Sequence, residues 1–241
     1  MTDTAAPREW GCRTDDILVA HAIFRRLFSL LPGAIRSVEA GDRRRARTIA
    51  GRLSMASSGL HHHHHAEDAK LWDTLEDRAP GCALHVGLMR AQHAKIAGIL
   101  EEADRLARWW VVDADAAVRD RLAERTDALS AALEAHLKDE EGKVLPVVQQ
   151  VLTQLEWEEV GEAARSDPDP RSIFIMLGLL FTSGTESQRE AVLPHIPRVA
   201  TVLYNLFGHF QYERAMADLG LDVRPPRQAS RGGRFGAHAA T

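Results

Sequence analysis

Apolar residues recur along this chain at steps of three and four, and alternation with a period of two is nearly absent, so the sequence reads as mainly α-helical. Thr14-Asp15-Asp16 is a helix-start cluster, and Ile17, His21, Phe24, Phe28 and Leu31 mark one face of the first helix, with Pro32-Gly33 a point of kinking or breakage and an end near Gly41-Asp42. A second helix is predicted over 43–75, its inward stripe being Leu53, Ala56, Leu60, His63, His64, Glu67 and Leu71. A third covers 83–108, with Leu88, Gln92, His93, Ile96, Leu100 and Ala103 on one side. The fourth runs from 114 into the 140s with Leu122, Leu129, Leu133, His136, Glu140 and Val144 as its stripe, and Pro146 must bend or interrupt it. Four long helices joined by short connections predict an all-α protein built on an antiparallel four-helix bundle.

Two prolines in Asp167-Pro168-Asp169-Pro170 disfavour any regular element and separate the bundle, 14–152, from a C-terminal helical module, 171–220. That module offers an apolar helix at 172–181, a Gly/Ser/Thr turn, a short helix before Pro194 and an amphipathic helix at 198–219. The tail, 221–241, has little to bury and is expected to be disordered.

Composition adds exclusions. With 45% hydrophobic and 27% charged residues in 241, the chain is an ordinary soluble globular protein. A formal charge of −4 gives no attraction to nucleic acid or anionic lipid, so neither is expected as a partner. The longest apolar run, 173–181, falls far short of the ~20 residues of a membrane helix, and the start of the chain lacks the apolar segment of a secretory leader. Cys12 and Cys82 stand far apart without a Cys-x-x-Cys partner, which predicts free thiols in a reducing, cytoplasmic setting. What stands out is 12 histidines, five of them consecutive at His61–His65. The run lies inside a helical pattern and reads as native sequence.

Each of the four helices places a histidine on its apolar stripe: His21, His63 or His64, His93 and His136. One such histidine is ordinarily a hydrogen-bonded core residue. Two helices, however, add a carboxylate one turn on, Glu67 after His63 and Glu140 after His136, about 6 Å along the same face. Unpaired carboxylates there would be costly, whereas carboxylates and imidazoles around cations neutralise one another. Nitrogen and oxygen donors without thiolate suit iron, manganese or zinc, and carboxylates able to bridge favour a dinuclear site.

The segments HHHHHAEDAKLW (61–72), LMRAQHAKI (88–96) and HLKDEEGKVLP (136–146), with His21, resemble the hemerythrin-like, or HHE cation-binding, domain. The resemblance implies a four-helix bundle holding two non-haem irons per chain, with His21, His63, Glu67, His93, His136 and Glu140 as ligands and Glu67 and Glu140 as bridges. It also implies that oxygen, peroxide, nitric oxide or iron level is the substrate or signal. Oxygen-carrying relatives have a further histidine where this chain has Met89. His85 is about 12 Å along the helix from His93, too far for the two to bind the same iron, so it cannot supply the histidine missing at Met89. His64 stands where some relatives carry a ligand and is a candidate, whereas His61, His62 and His65 cannot all face inward at about 100° per residue. Tyr204, His209 and Tyr212 are further candidates with packing as the alternative. Three functions follow: a di-iron protein handling oxygen, peroxide or nitrogen oxides, with catalase-like turnover one form of it; an iron- or oxygen-responsive sensor whose C-terminal part signals to a protein partner; and a metal-free helical interaction protein. A homodimer is compatible with each.

Overall fold

A computed structural model describes residues 9–165, 172–221 and 223, so the DPDP linker and nearly all of the expected tail lie outside the described residues. Four long helices dominate: α1 (Asp15–Arg36), α2 (Arg43–Lys70), α4 (Ala83–Asp113) and α5 (Ala116–Asp139), with the short α3 (Trp72–Arg78) between α2 and α4. Then come α6 (Leu145–Val151), α7 (Gln154–Ala164), α8 (Ile173–Thr182), α9 (Glu186–Val192), α10 (Arg198–Leu203) and α11 (His209–Asp218). Among the described residues there is no β-strand, only an isolated bridge between Gly11 and Thr153. The protein is all-α, as the periodicity implies. Helix α1 touches α2 and α5, and α4 touches the same two, so each long helix has two long neighbours around a shared interior.

Local chemistry explains the turns. Helix α1 continues through Pro32 to Arg36, and the reversal comes at Gly41, whose φ of 84° suits glycine and whose N–H donates to the Ala114 carbonyl in the α4–α5 turn. Asp42 caps α2 by accepting from the Arg45 N–H, and Asp115 caps α5 by accepting from Val118. Thr14 occupies the cap position of α1 without capping it; its hydroxyl accepts from Gln149 instead.

Three boundaries differ from the sequence expectation. The helix expected over 43–75 is interrupted at Leu71, where fully buried Leu71 and Trp72 turn into a second, smaller core with Val86, Met89, Val144 and Leu152. Helix α4 extends to Asp113. The fourth helix widens before its proline into a π turn, Glu140–Val144, in which the Leu145 N–H bonds to the Glu140 carbonyl. A proline ring crowds the carbonyl four residues back, here Gly142, and the wider turn relieves that conflict without ending the helix.

The main core joins apolar residues of α1, α2, α4 and α5 with those of α8, Tyr204 and α11, so the C-terminal helices pack onto the bundle within one apolar cluster. Gly178 of α8 makes the closest approach: a Cβ there would lie 2.2 Å from Cγ of Tyr212. Helix α1 is long and apolar enough, by length and composition, to cross a membrane, but its most apolar 18-residue stretch is 56% buried inside the protein and the helix carries the buried His21.

Candidate metal centre

The long helices bring seven chemistry-bearing side chains to one interior position. His21 comes from α1, His63, His64 and Glu67 from α2, His93 from α4, His136 from α5, and Glu140 from the first position of the π turn; none is more than 7% exposed. They form two groups, His21 with His63, Glu67 and Glu140, and His64 with His93 and His136. In each group one donor atom per residue lies within 4.8 Å of the others.

The carboxylates lie between the groups. Glu67 turns Oε1 toward His63 Nε2 at 3.3 Å and Oε2 toward His93 Nε2 at 3.5 Å. Glu140 Oε2 lies 3.4 Å from His21 Nε2 and 3.6 Å from His136 Nε2. Each acid therefore faces one histidine of each group. His64 stacks on His93 with ring centroids 4.0 Å apart, so the structure places it in the second group, while its neighbour His63 belongs to the first.

Hydrogen bonding divides the imidazole nitrogens by role. Nδ1 of His21 pairs with Glu141 at 2.8 Å, Nδ1 of His93 with Asp68 at 2.8 Å, and Nδ1 of His136 with Gln92 at 3.1 Å. An acceptor at Nδ1 holds the proton there and leaves the Nε2 lone pair free. Nε2 of all five histidines, and both carboxylate oxygens of Glu67 and of Glu140, are buried without a hydrogen-bond partner. Nine orphaned polar atoms gathered in two adjoining groups contradict the usual rule that buried polar groups are satisfied. Cations, which accept only lone pairs, would satisfy these atoms, one cation to each group.

The electrostatics agree. Burial, and then the neighbouring imidazoles, lower His63 and His64 well below the usual histidine range and bring His136 to about 3, so these rings are neutral at pH 7. Burial, with Glu140 alongside, raises Glu67 well above the usual carboxylate range. The outer acids go the other way. Burial works to raise Asp68, but hydrogen bonds from His93 and Trp72 outweigh it and leave the group lowered. Burial likewise opposes ionisation of Glu141, yet His21 and Arg25 bring it down to about 2. Cys12 is pushed up to about 11 by burial and then by Asp16 and Glu156, and no cysteine belongs to either group of donors.

The remaining histidine candidates lie elsewhere. His61 and His65 are exposed and stack on each other, His62 is half-buried, and His85 sits outside both groups. Met89 is buried in the smaller core. Tyr212 pairs its hydroxyl with Thr182, Tyr204 packs against Phe181, and His209 lies against Phe210. The supporting residues Asp68, Glu141 and Arg25 were not candidates from the sequence. A usable signal was present, because both inward glutamates are followed at once by a second acid, Glu67-Asp68 and Glu140-Glu141, which the helix turns onto the flank of the site.

Residues 13–148, more than half of the chain, match the family described as hemerythrin HHE cation binding domain. No curated protein and no solved structure matches the chain.

Proposed function

The chain belongs to the hemerythrin HHE cation-binding family, and on that premise we propose that it is a non-haem di-iron protein that binds or reacts with oxygen, peroxide or nitric oxide. The observation that carries the reading is the convergence of nine unpartnered nitrogen and oxygen atoms. His21 and His63 would hold one iron, His64, His93 and His136 the other, and Glu67 and Glu140 would bridge them. Iron held by this donor set supplies one-electron redox change and coordination positions open to a small exogenous ligand.

The chain's own residues do the rest. Asp68, Glu141 and Gln92 fix the Nδ1 protons of three histidines, so that their Nε2 atoms point inward before any metal arrives. Arg25 donates to both oxygens of Glu141 and thereby anchors the His21 end. Phe24 lies against His63 and Trp72 against His93, apolar walls that keep bulk water from the donor atoms. Cys12 and Cys82 are free thiols, which supports a reducing, cytoplasmic setting.

One observation favours a sensing role for the same site. Arg26, on the helix that carries His21, donates to the Thr182 hydroxyl, which also pairs with the Tyr212 hydroxyl, so α1 is tied directly to the C-terminal helices. Iron titrated anaerobically into metal-free protein, followed by oxygen or peroxide, tests both readings. Uptake of two irons with loss of peroxide supports turnover. Uptake without peroxide loss, with altered hydrogen exchange over 172–221, supports sensing. Failure to bind iron removes both.

A further inference from the structure

The last helical stretch carries an apolar face that nothing within the described residues covers. Val199, Val202 and Leu203 of α10, Leu206 and Phe207 of the π turn Tyr204–Gly208, and Phe210 of α11 are between 39% and 64% exposed. Their spacing is one stripe at three- and four-residue steps, while the opposite face buries Tyr204, Gly208 and Tyr212. Together the six residues expose roughly 600–700 Å², at or just above the upper limit of the largest apolar patch on an ordinary soluble monomer. No Asp, Glu, Lys or Arg occurs between Arg198 and Glu213.

We infer that this stripe is the interface of a homodimer, in which α10, the π turn and the start of α11 pack against the same face of a second copy. Two copies burying it would remove roughly 1,200–1,400 Å², the lower part of the roughly 1,200–2,000 Å² range of a stable, specific interface. A two-fold interface places each residue near its own copy or its neighbours', so an uncharged stripe is self-complementary and a charged one would repel itself. Segments 1–8, 166–171, 222 and 224–241 contain only Met1 and Phe235 as large apolar residues, a poor composition for an apolar partner to this stripe. The stripe also lacks the Lys and Arg residues with which a helix binds an anionic membrane. The metal centre plays no part in the inference.

Sedimentation and light scattering of the full-length protein across a concentration series provide the test. The wild type is expected at twice the 26.7 kDa chain mass, with Leu206→Glu and Phe210→Glu each weakening association at least about 100-fold and leaving helical content unchanged. Trp109→Glu, at an exposed apolar residue of α4, is expected to leave the dimer intact. Hydrogen exchange on the unmodified protein gives a readout that needs no variant: protection over 199–210 should rise with protein concentration. A wild type that stays monomeric up to about 100 µM would overturn the inference, as would a dimer indifferent to both glutamates. So would a monomer that co-sediments through this stripe with phosphatidylcholine–phosphatidylglycerol vesicles.

Discussion

Replacing Asp68 by alanine separates the metal centre's support from the stability of the fold. Asp68 Oδ1 accepts from Nδ1 of His93 at 2.8 Å and from Nε1 of Trp72 at 2.7 Å. The alanine frees the His93 ring and leaves the indole N–H of a fully buried tryptophan without its acceptor. A lost supporting partner of this kind lowers metal affinity about 10- to 100-fold, equivalent to roughly 1.4–2.7 kcal/mol. The orphaned indole N–H costs about 1–3 kcal/mol, and because Asp68 itself is 44% exposed, water can replace part of the bond and bring the cost toward the lower figure. For a chain of this size about 1 kcal/mol corresponds to a fall in Tm of roughly 2–4 °C. Iron titration against a competing chelator, with thermal melts of the metal-free protein, measures both quantities. Asp73→Ala, which removes a surface partner of Arg90, is the control expected to change neither. An Asp68→Ala protein that binds iron within about twofold of wild type would refute the assigned role of the Nδ1 partners.

Gly178→Ala should destabilise the protein by about 3 kcal/mol or more, because its methyl group would overlap the Tyr212 ring, and urea melts should show the loss. In the metal-free protein, His63, His64 and His136 stay neutral well below the pH at which their unfolded counterparts protonate, so stability should fall as pH drops below about 6.5, by up to roughly 1.4 kcal/mol per pH unit for each. Glu67 acts in the opposite sense: its raised folded pKa gives stability that is complete below about 4.5 and lost as pH rises through the folded value, so Glu67→Gln should stabilise the metal-free fold at neutral pH. Urea melts from pH 4 to 8 check both slopes. Metal binding must displace any proton held at Glu67, so a pH indicator in weak buffer should register proton release on metal uptake, and the release should shrink in Glu67→Gln.

The inward stripes were legible because four long helices each bury one face, and a residue's place on that face follows from its spacing. The inward placement of His21, His93, His136, Glu67 and Glu140 was identified in this way, whereas for His61, His62 and His65 spacing said only that they cannot all face inward, and the structure leaves His61 and His65 exposed. His63 and His64 were not separable by spacing. They sit 100° apart on one helix and both point inward because the interior holds two groups of donors, one for each ring. The break at Leu71 and the π turn at Glu140 were not legible as such, since the first depends on where Trp72 finds a second core and the second on how the backbone absorbs Pro146. The supporting acids left a trace in the Glu67-Asp68 and Glu140-Glu141 doublets, but their partners were not legible, because only the tertiary arrangement brings His93 and His21 to them.

Elemental analysis of the protein after anaerobic loading with iron and removal of the unbound metal tests the central proposal most directly. Wild type and His61→Ala should retain about two irons per chain, while Glu67→Ala and His136→Ala should each lose most of theirs. A wild type that holds no iron, or four proteins that retain it equally, would contradict the assignment of these buried histidines and glutamates as its ligands.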